Sequence, residues 1–149
     1  MTKQTTDHYD RIKTFMKLAG QDAPDEPFEP SLGVRKLRAK LILEEALETI
    51  EALGFTAYEV DGEIDTRYTH NFNAIKVIDG CCDISVVTIG TLIACGVPDL
   101  PFLEEVDNNN LSKVQNGTIR GDGKLIKHPD HKPPRIKEIL AELSDNFSN

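Results

Sequence analysis

Along this chain apolar residues recur every three or four positions more often than every second one, the spacing of helices packed through one face. In DHYDRIKTFMKLAGQ, residues 7–21, Tyr9, Ile12, Phe15, Met16 and Leu18 fall near helical spacing, and Gly20 ends the run. DAPDEPFEPSLGV follows with three prolines, which break helix and sheet alike, so it reads as loop. A second helix is expected over about 34–53, closed by Gly54. GFTAYEVDGEIDTRYTHN places Tyr58, Val60 and Ile64 around DGE, which predicts a minor hairpin or an extended flap at about 56–66. A long apolar helix then runs from Phe72 or Asn73 to Cys95, with CGVP as its stop. DLPFLEEVDNNNLSK reads as a fourth helix, with Asp99 and Pro101 suited to its start. VQNGTIRGDGKLIKHPDHKPP is glycine- and proline-rich loop, and RIKEILAEL closes with a short amphipathic helix and a frayed polar end. The pattern predicts an all-α fold, a bundle of four or five helices, in a single domain over 1–149 with its core at about 9–140.

Charge complicates that picture in LILEEALETIEALG, residues 41–54. On a helical wheel with Glu44 at zero, Leu37 falls at about 20°, Glu48 at about 40° and Leu41 at about 60°. Glu45 sits at the edge of that stripe, at about 100°. The opposite side carries Leu43, Ala46, Ile50 and Leu53, so the helix is expected to be buried over most of its circumference. On the third helix Asp79 and Asp83 lie about 40° apart, on a face otherwise lined by small and apolar residues. Gly80 and Gly90 would let a neighbouring backbone approach closely.

Four or five carboxylates on two buried helices repel one another, and each is costly to bury unpaired. Few bases are near: Lys40 on the second helix, Lys76 on the third. Hard divalent cations, which take oxygen ligands, offset both terms, and facing acid pairs are how helical bundles build carboxylate metal sites. The plainer alternative is a solvated rim of glutamates paired with surface lysines. It does not explain Asp79 and Asp83 inside so apolar a run.

Composition narrows the function. Among 149 residues the formal net charge is −8, and no basic stripe is present to neutralise a phosphate backbone, so no nucleic-acid partner is expected. A nucleotide held through metal ions remains compatible with that charge. Residues 77–97 are long enough to cross a bilayer, for which about 20 residues suffice. Asp79 and Asp83 would each cost roughly 2.5–3.5 kcal/mol there, so a core helix and no membrane partner are expected. MTKQTTDHYDRIK lacks the apolar core of a signal peptide. Cys81, Cys82 and Cys95 are odd in number and two are adjacent, which fits reduced, buried thiols in a cytoplasmic protein.

EEALE, CDISVVTIGTLIACGV, NNNLSK and GDGK together resemble the all-α nucleoside triphosphate pyrophosphatases, the superfamily of MazG proteins, phosphoribosyl-ATP pyrophosphohydrolase and dimeric dUTPases. The resemblance covers roughly residues 9–140 and is weakest across 55–72. It implies a MazG-like bundle assembling as a homodimer or homotetramer. It also implies Mg²⁺-dependent cleavage, with Mn²⁺ as a substitute, of a (deoxy)nucleoside triphosphate such as dUTP or dCTP to the monophosphate and pyrophosphate.

The family pattern is Glu-x-x-Glu on one helix and Glu-x-x-Asp on the next. Glu45 and Glu48 match the first half, Glu44 is the extra acid beside it, and Asp83 matches the final aspartate. Gly80 stands where the family carries its third acid, and Asp79, one residue earlier, is expected to take over that position. The implied metal ligands are Glu44, Glu45, Glu48, Asp79 and Asp83, with Glu44 or Glu45 as the base for water. Asn110 and Lys113 match a segment near the substrate, and Arg120 and Lys124 flank glycines that could fold over a ligand. Ordinary helix-end chemistry and a tight turn are the plainer readings of those four. RGDGK is not a P-loop, because the spacing is one residue too long, Leu125 replaces Ser/Thr and no strand precedes it. HPDH offers only two metal ligands and reads as loop. The departure at Gly80 also leaves open an inactive nucleotide-binding module with the same fold.

Overall fold

The computed structural model describes residues 4–143; the polar C-terminal end expected to fray lies largely outside them. Among the described residues there are five helices: α1 (Asp7–Leu18), α2 (Leu32–Ala52), α3 (Ala74–Ala94), α4 (Leu100–Asn116) and α5 (Ile136–Leu143). Two antiparallel hairpins complete the order: β1 (Phe55–Val60) with β2 (Glu63–Tyr68), and β3 (Thr118–Ile119) with β4 (Leu125–Ile126). The fold is all-α, as the periodicity predicts. The glycine-rich segment expected as loop contains the small β3–β4 pair, in which Arg120 N also donates to the Lys124 carbonyl at 2.8 Å.

Local chemistry sets the boundaries. Thr6 caps α1, its hydroxyl accepting from Tyr9 N, and Ser31 caps α2 by accepting from Val34 N. The β1–β2 turn runs through Asp61 (φ 53°) and Gly62 (φ 82°), two left-handed residues whose twist matches a two-residue hairpin. Asp99 stands at the start of α4 without capping it. Its fully buried carboxylate instead accepts from Thr6 N at 2.9 Å and Thr6 Oγ1 at 2.6 Å, pinning the start of α1 to the start of α4.

The core lies between α1 and the second half of α3, where Tyr9, Ile12 and Met16 meet Ile89, Ile93 and Ala94. Phe15 and Leu18, counted with the apolar stripe of α1, are exposed. Helix α2 runs antiparallel to α3: Thr49 faces Gly80 and Arg38 faces Gly90. The buried Arg38 guanidinium occupies the space that Gly90 leaves and donates to the Val87 carbonyl at 2.9 Å, Thr91 Oγ1 and Gln21 Oε1. Burial lowers its pKa, and neutral oxygens rather than a carboxylate satisfy it.

Helix α2 is not covered over most of its circumference. Its buried residues are Arg38, Thr49 and Ala52, while Leu37, Leu43 and Leu47 are exposed. The reason is supply: α1, α3 and β1 cover one side of the bundle, and α4 packs instead against α5 and β4. The same shortage leaves Cys81 and Cys82 exposed on α3, against the expectation of buried thiols; Cys95 is half-buried. Helix α3 is long and apolar enough to cross a membrane by composition, yet here it lies along α1 and α2.

Candidate active site

The antiparallel crossing of α2 and α3 opens a cleft of about 620 Å³, within the range of small-molecule sites. Glu45 and Glu48 reach it from α2, Asp79 and Asp83 from α3. Four of the five expected acids therefore share one cavity. Glu44 does not line it; its carboxylate lies 3.5 Å from Lys40 Nζ one turn back along α2. The acids are also wetter than the wheel suggests. Glu48 and Asp79 are exposed and Glu45 and Asp83 half-buried, because the stripe faces an open cleft rather than packed side chains.

Their mutual field is still felt. The Glu45 carboxyl is pushed above its ordinary 4.5, first by burial, then by the charges of Asp83, Glu48, Glu44 and Asp79. Every acid named from the sequence thus acts on Glu45, including the one that points away.

Gly80 is explained by α2. A Cβ at that position would collide with the Thr49 hydroxyl and lie 3.1 Å from Thr49 Cβ, so the helices touch where the family carries a side chain. Thr49 is held there by its hydroxyl, which donates to the Glu45 carbonyl at 2.7 Å. Asp79, next to this contact, reaches the cleft from the adjoining face.

Among the described residues no three His, Cys, Asp or Glu side chains converge closely enough to hold a metal by themselves. The donors are nevertheless all carboxylate oxygens. That chemistry suits Mg²⁺, which is bound through one or two carboxylates, several waters and substrate phosphates rather than by an all-protein cage.

Of the other end of the cleft, the sequence pointed only to Lys76, as a base near the acids. Glu51, His70, Asn71, Asn73 and Lys76 line it, with His70 Nε2 3.7 Å from Glu51 Oε1. Main-chain bonds fix this wall: the Gly54 carbonyl accepts from Thr69 N at 2.9 Å and His70 N at 3.1 Å, and Asn73 N donates to the Ala52 carbonyl at 2.9 Å. Asn73 caps α3 by accepting from Lys76 N. The available signal was the polar THNFN run just before an apolar helix, with Lys76 one turn ahead of Asp79.

The expected substrate contacts lie elsewhere. Lys113 Nζ donates to Asn110 Oδ1 at 2.6 Å on α4, and Lys113 lines a separate recess with His128 and His131. Arg120 pairs with Asp122, which holds that carboxyl down at about 2, and Lys124 N donates to the same aspartate. None of the four lines the acidic cleft. In HPDH, His131 Nε2 is hydrogen-bonded to Asn109 Oδ1, and the segment forms loop and turn as expected.

A helical bundle with two acid-bearing helices crossing over one cleft is the architecture of the MazG-like, all-α nucleoside triphosphate pyrophosphatases. The family model for phosphoribosyl-ATP pyrophosphohydrolase matches residues 10–110, and the chain belongs to that family. Membership makes the protein a nucleotide pyrophosphohydrolase in general, a hydrolase of phosphoanhydride bonds, from a family of soluble enzymes. No curated protein sequence matches the chain significantly.

Proposed function

We propose that the α2–α3 cleft cleaves a (deoxy)nucleoside triphosphate, with dUTP and dCTP the first candidates, to the monophosphate and pyrophosphate in a Mg²⁺-dependent reaction. The observation that carries this reading is the meeting of Glu45, Glu48, Asp79 and Asp83 in one cavity of nucleotide size. Those four would hold the ion, with Glu44 adding its charge from outside the cleft, and Mn²⁺ would substitute. When bound, the metal supplies charge neutralisation for both the triphosphate and the acids and lowers the pKa of a coordinated water.

The chain's own residues divide the remaining work. Glu45 is the better base of the two glutamates named from the sequence, because it lines the cleft and Glu44 does not. Glu44, turned toward Lys40, contributes field rather than contact. Lys76 brings a cation to the cleft wall one turn from Asp79, suited to a phosphate oxygen. A second copy of the chain is proposed to complete the assembly as a homodimer or homotetramer. The uncovered Leu43 and Leu47 of α2, Ile75 and Ile78 of α3, and Leu111 and Val114 of α4 support it. The free thiols agree with a cytoplasmic setting.

Pyrophosphate release from a panel of nucleotides, with and without Mg²⁺, tests the reading. Glu48→Ala and Asp83→Ala should each abolish release while leaving the circular dichroism spectrum unchanged. Turnover surviving both substitutions would sink it. The absence of a three-carboxylate cluster among the described residues and the closed Gly80 position favour one rival, an inactive nucleotide-binding module. That rival predicts nucleotide binding with no pyrophosphate under any metal.

A further inference from the structure

The cleft continues past its acids. Along α2 the lining passes from Glu45 and Glu48 to Glu51 and Ala52, and along the antiparallel α3 from Asp83 and Asp79 back to Lys76 and Asn73. His70 and Asn71 close the end, carried on the segment that leaves the β1–β2 hairpin. From Glu48 to Ala52 the axis advances about 6 Å at 1.5 Å per residue, the scale of the step from a phosphate to its nucleoside. A triphosphate gripped at the acidic end would therefore present its sugar and base to this wall.

The chemistry of the wall differs from that of the acids. Asn71 carries both amide donors and a carbonyl acceptor, and the His70 imidazole, hydrogen-bonded at Nδ1 to Thr69 Oγ1 at 2.8 Å, keeps Nε2 for a further partner. Thr69 fixes that ring through Nδ1, while Glu51 Oε1 stands 3.7 Å from Nε2, beyond hydrogen-bond distance. Ala52 is the apolar lining at this end, and no phenyl, phenol or indole ring lines the cleft among the described residues. Recognition here would read hydrogen-bonding edges rather than stack on a ring. The loop is also rigid enough to read: Gly54 accepts from both Thr69 and His70, and a Cβ on Gly54 would lie 2.8 Å from the His70 carbonyl oxygen, so the two segments lie against each other.

We infer that His70 and Asn71 form the nucleoside-reading wall of the cleft and determine which nucleotide is turned over. The inference rests on the pyrophosphohydrolase reading above and adds to it the residues that select the substrate.

Steady-state kinetics of His70→Ala, Asn71→Ala and His70→Gln on dUTP, dCTP, dATP, CTP and ATP test it, with inhibition by inorganic pyrophosphate as the second readout. Each alanine variant should raise KM for the preferred nucleotide by about 2- to 10-fold, the effect of one lost hydrogen bond, and flatten the ranking among bases. The kcat should stay within about twofold and pyrophosphate should inhibit as in the parent, since a group touching only the nucleoside is blind to it. His70→Gln, which keeps a donor and an acceptor, should fall between. An unchanged ranking and KM in an enzyme that still hydrolyses nucleotides would overturn this inference alone. So would weakened pyrophosphate inhibition in step with KM, which would mean the wall holds phosphate. If the parent protein releases pyrophosphate from no nucleotide, the reading of the site falls and this inference with it.

Discussion

Thr49 and Gly80 hold α2 and α3 in contact, the threonine hydroxyl occupying the space that a side chain on residue 80 would need. The same hydroxyl is tied to the Glu45 carbonyl, one turn back and on the edge of the cleft. A departure from the family's acid pattern is thus also a packing point, and the spacing of the two acid-bearing helices depends on it.

Filling that point should destabilise the chain. Gly80→Ala is expected to cost about 1–3 kcal/mol, the range for overpacking a tight contact. Thr49→Ala in the same chain should recover part of the loss, because it removes the nearest atom. Urea denaturation of the parent, both single variants and the double variant measures the coupling. Additive losses would show that the two residues do not clash.

The raised Glu45 carboxyl makes a pH prediction for the metal-free protein. Its folded pKa lies above its ordinary 4.5, so the folded state binds the extra proton between those two values. The stabilising contribution is therefore complete below about 4.5 and is lost as pH rises through the folded value. Glu45→Gln should remove that part of the pH dependence and leave the metal-free protein more stable at neutral pH. If Glu45 is the base, the same change should slow turnover by about 10²- to 10⁴-fold. Thermal melts across pH without divalent ions, set beside turnover, separate the two effects.

Asp99 offers a purely structural test. It is fully buried, bonded to Thr6 N and Thr6 Oγ1, and after burial itself it is the largest cause of Tyr9 being pushed up to about 12. Asp99→Ala should cost about 1–3 kcal/mol by stranding the Thr6 donors. Asp99→Asn should bring the Tyr9 titration down, visible as phenolate absorbance. An unmoved Tyr9 would mean that the Asp99 charge does not contribute to its pKa, leaving burial with Asp10 and Asp25.

Lys113 tests how α4 is used. It belongs to a recess away from the acidic cleft of its own chain, so any role in turnover requires the cleft of a second copy. Lys113→Ala and Glu48→Ala should each be inactive alone, and mixing them after partial unfolding should restore about a quarter of parental activity if each site draws on two chains. A monomer in light scattering, or no recovery on mixing, would remove Lys113 from the site.

Much of this protein is legible in its sequence. Period-3.6 patterning, the prolines of residues 24–30 and the glycines at 20, 54 and 96 delimit the helices. These signals are local, carried by backbone preferences within a few residues. The conflict of acids with apolar neighbours on two helices was likewise visible, because helical geometry fixes which residues share a face. Only tertiary contact could decide where those faces lead. The acids meet in an open cleft rather than a sealed core, since the chain supplies too few neighbours to cover α2. His70 and Asn71 join them because the hairpin folds back onto Gly54, and Asn110, Lys113, Arg120 and Lys124 do not, because α4 turns toward α5. The reason is physical: periodicity sets the direction of a side chain relative to its own helix, whereas its neighbours depend on long-range packing that no local window contains.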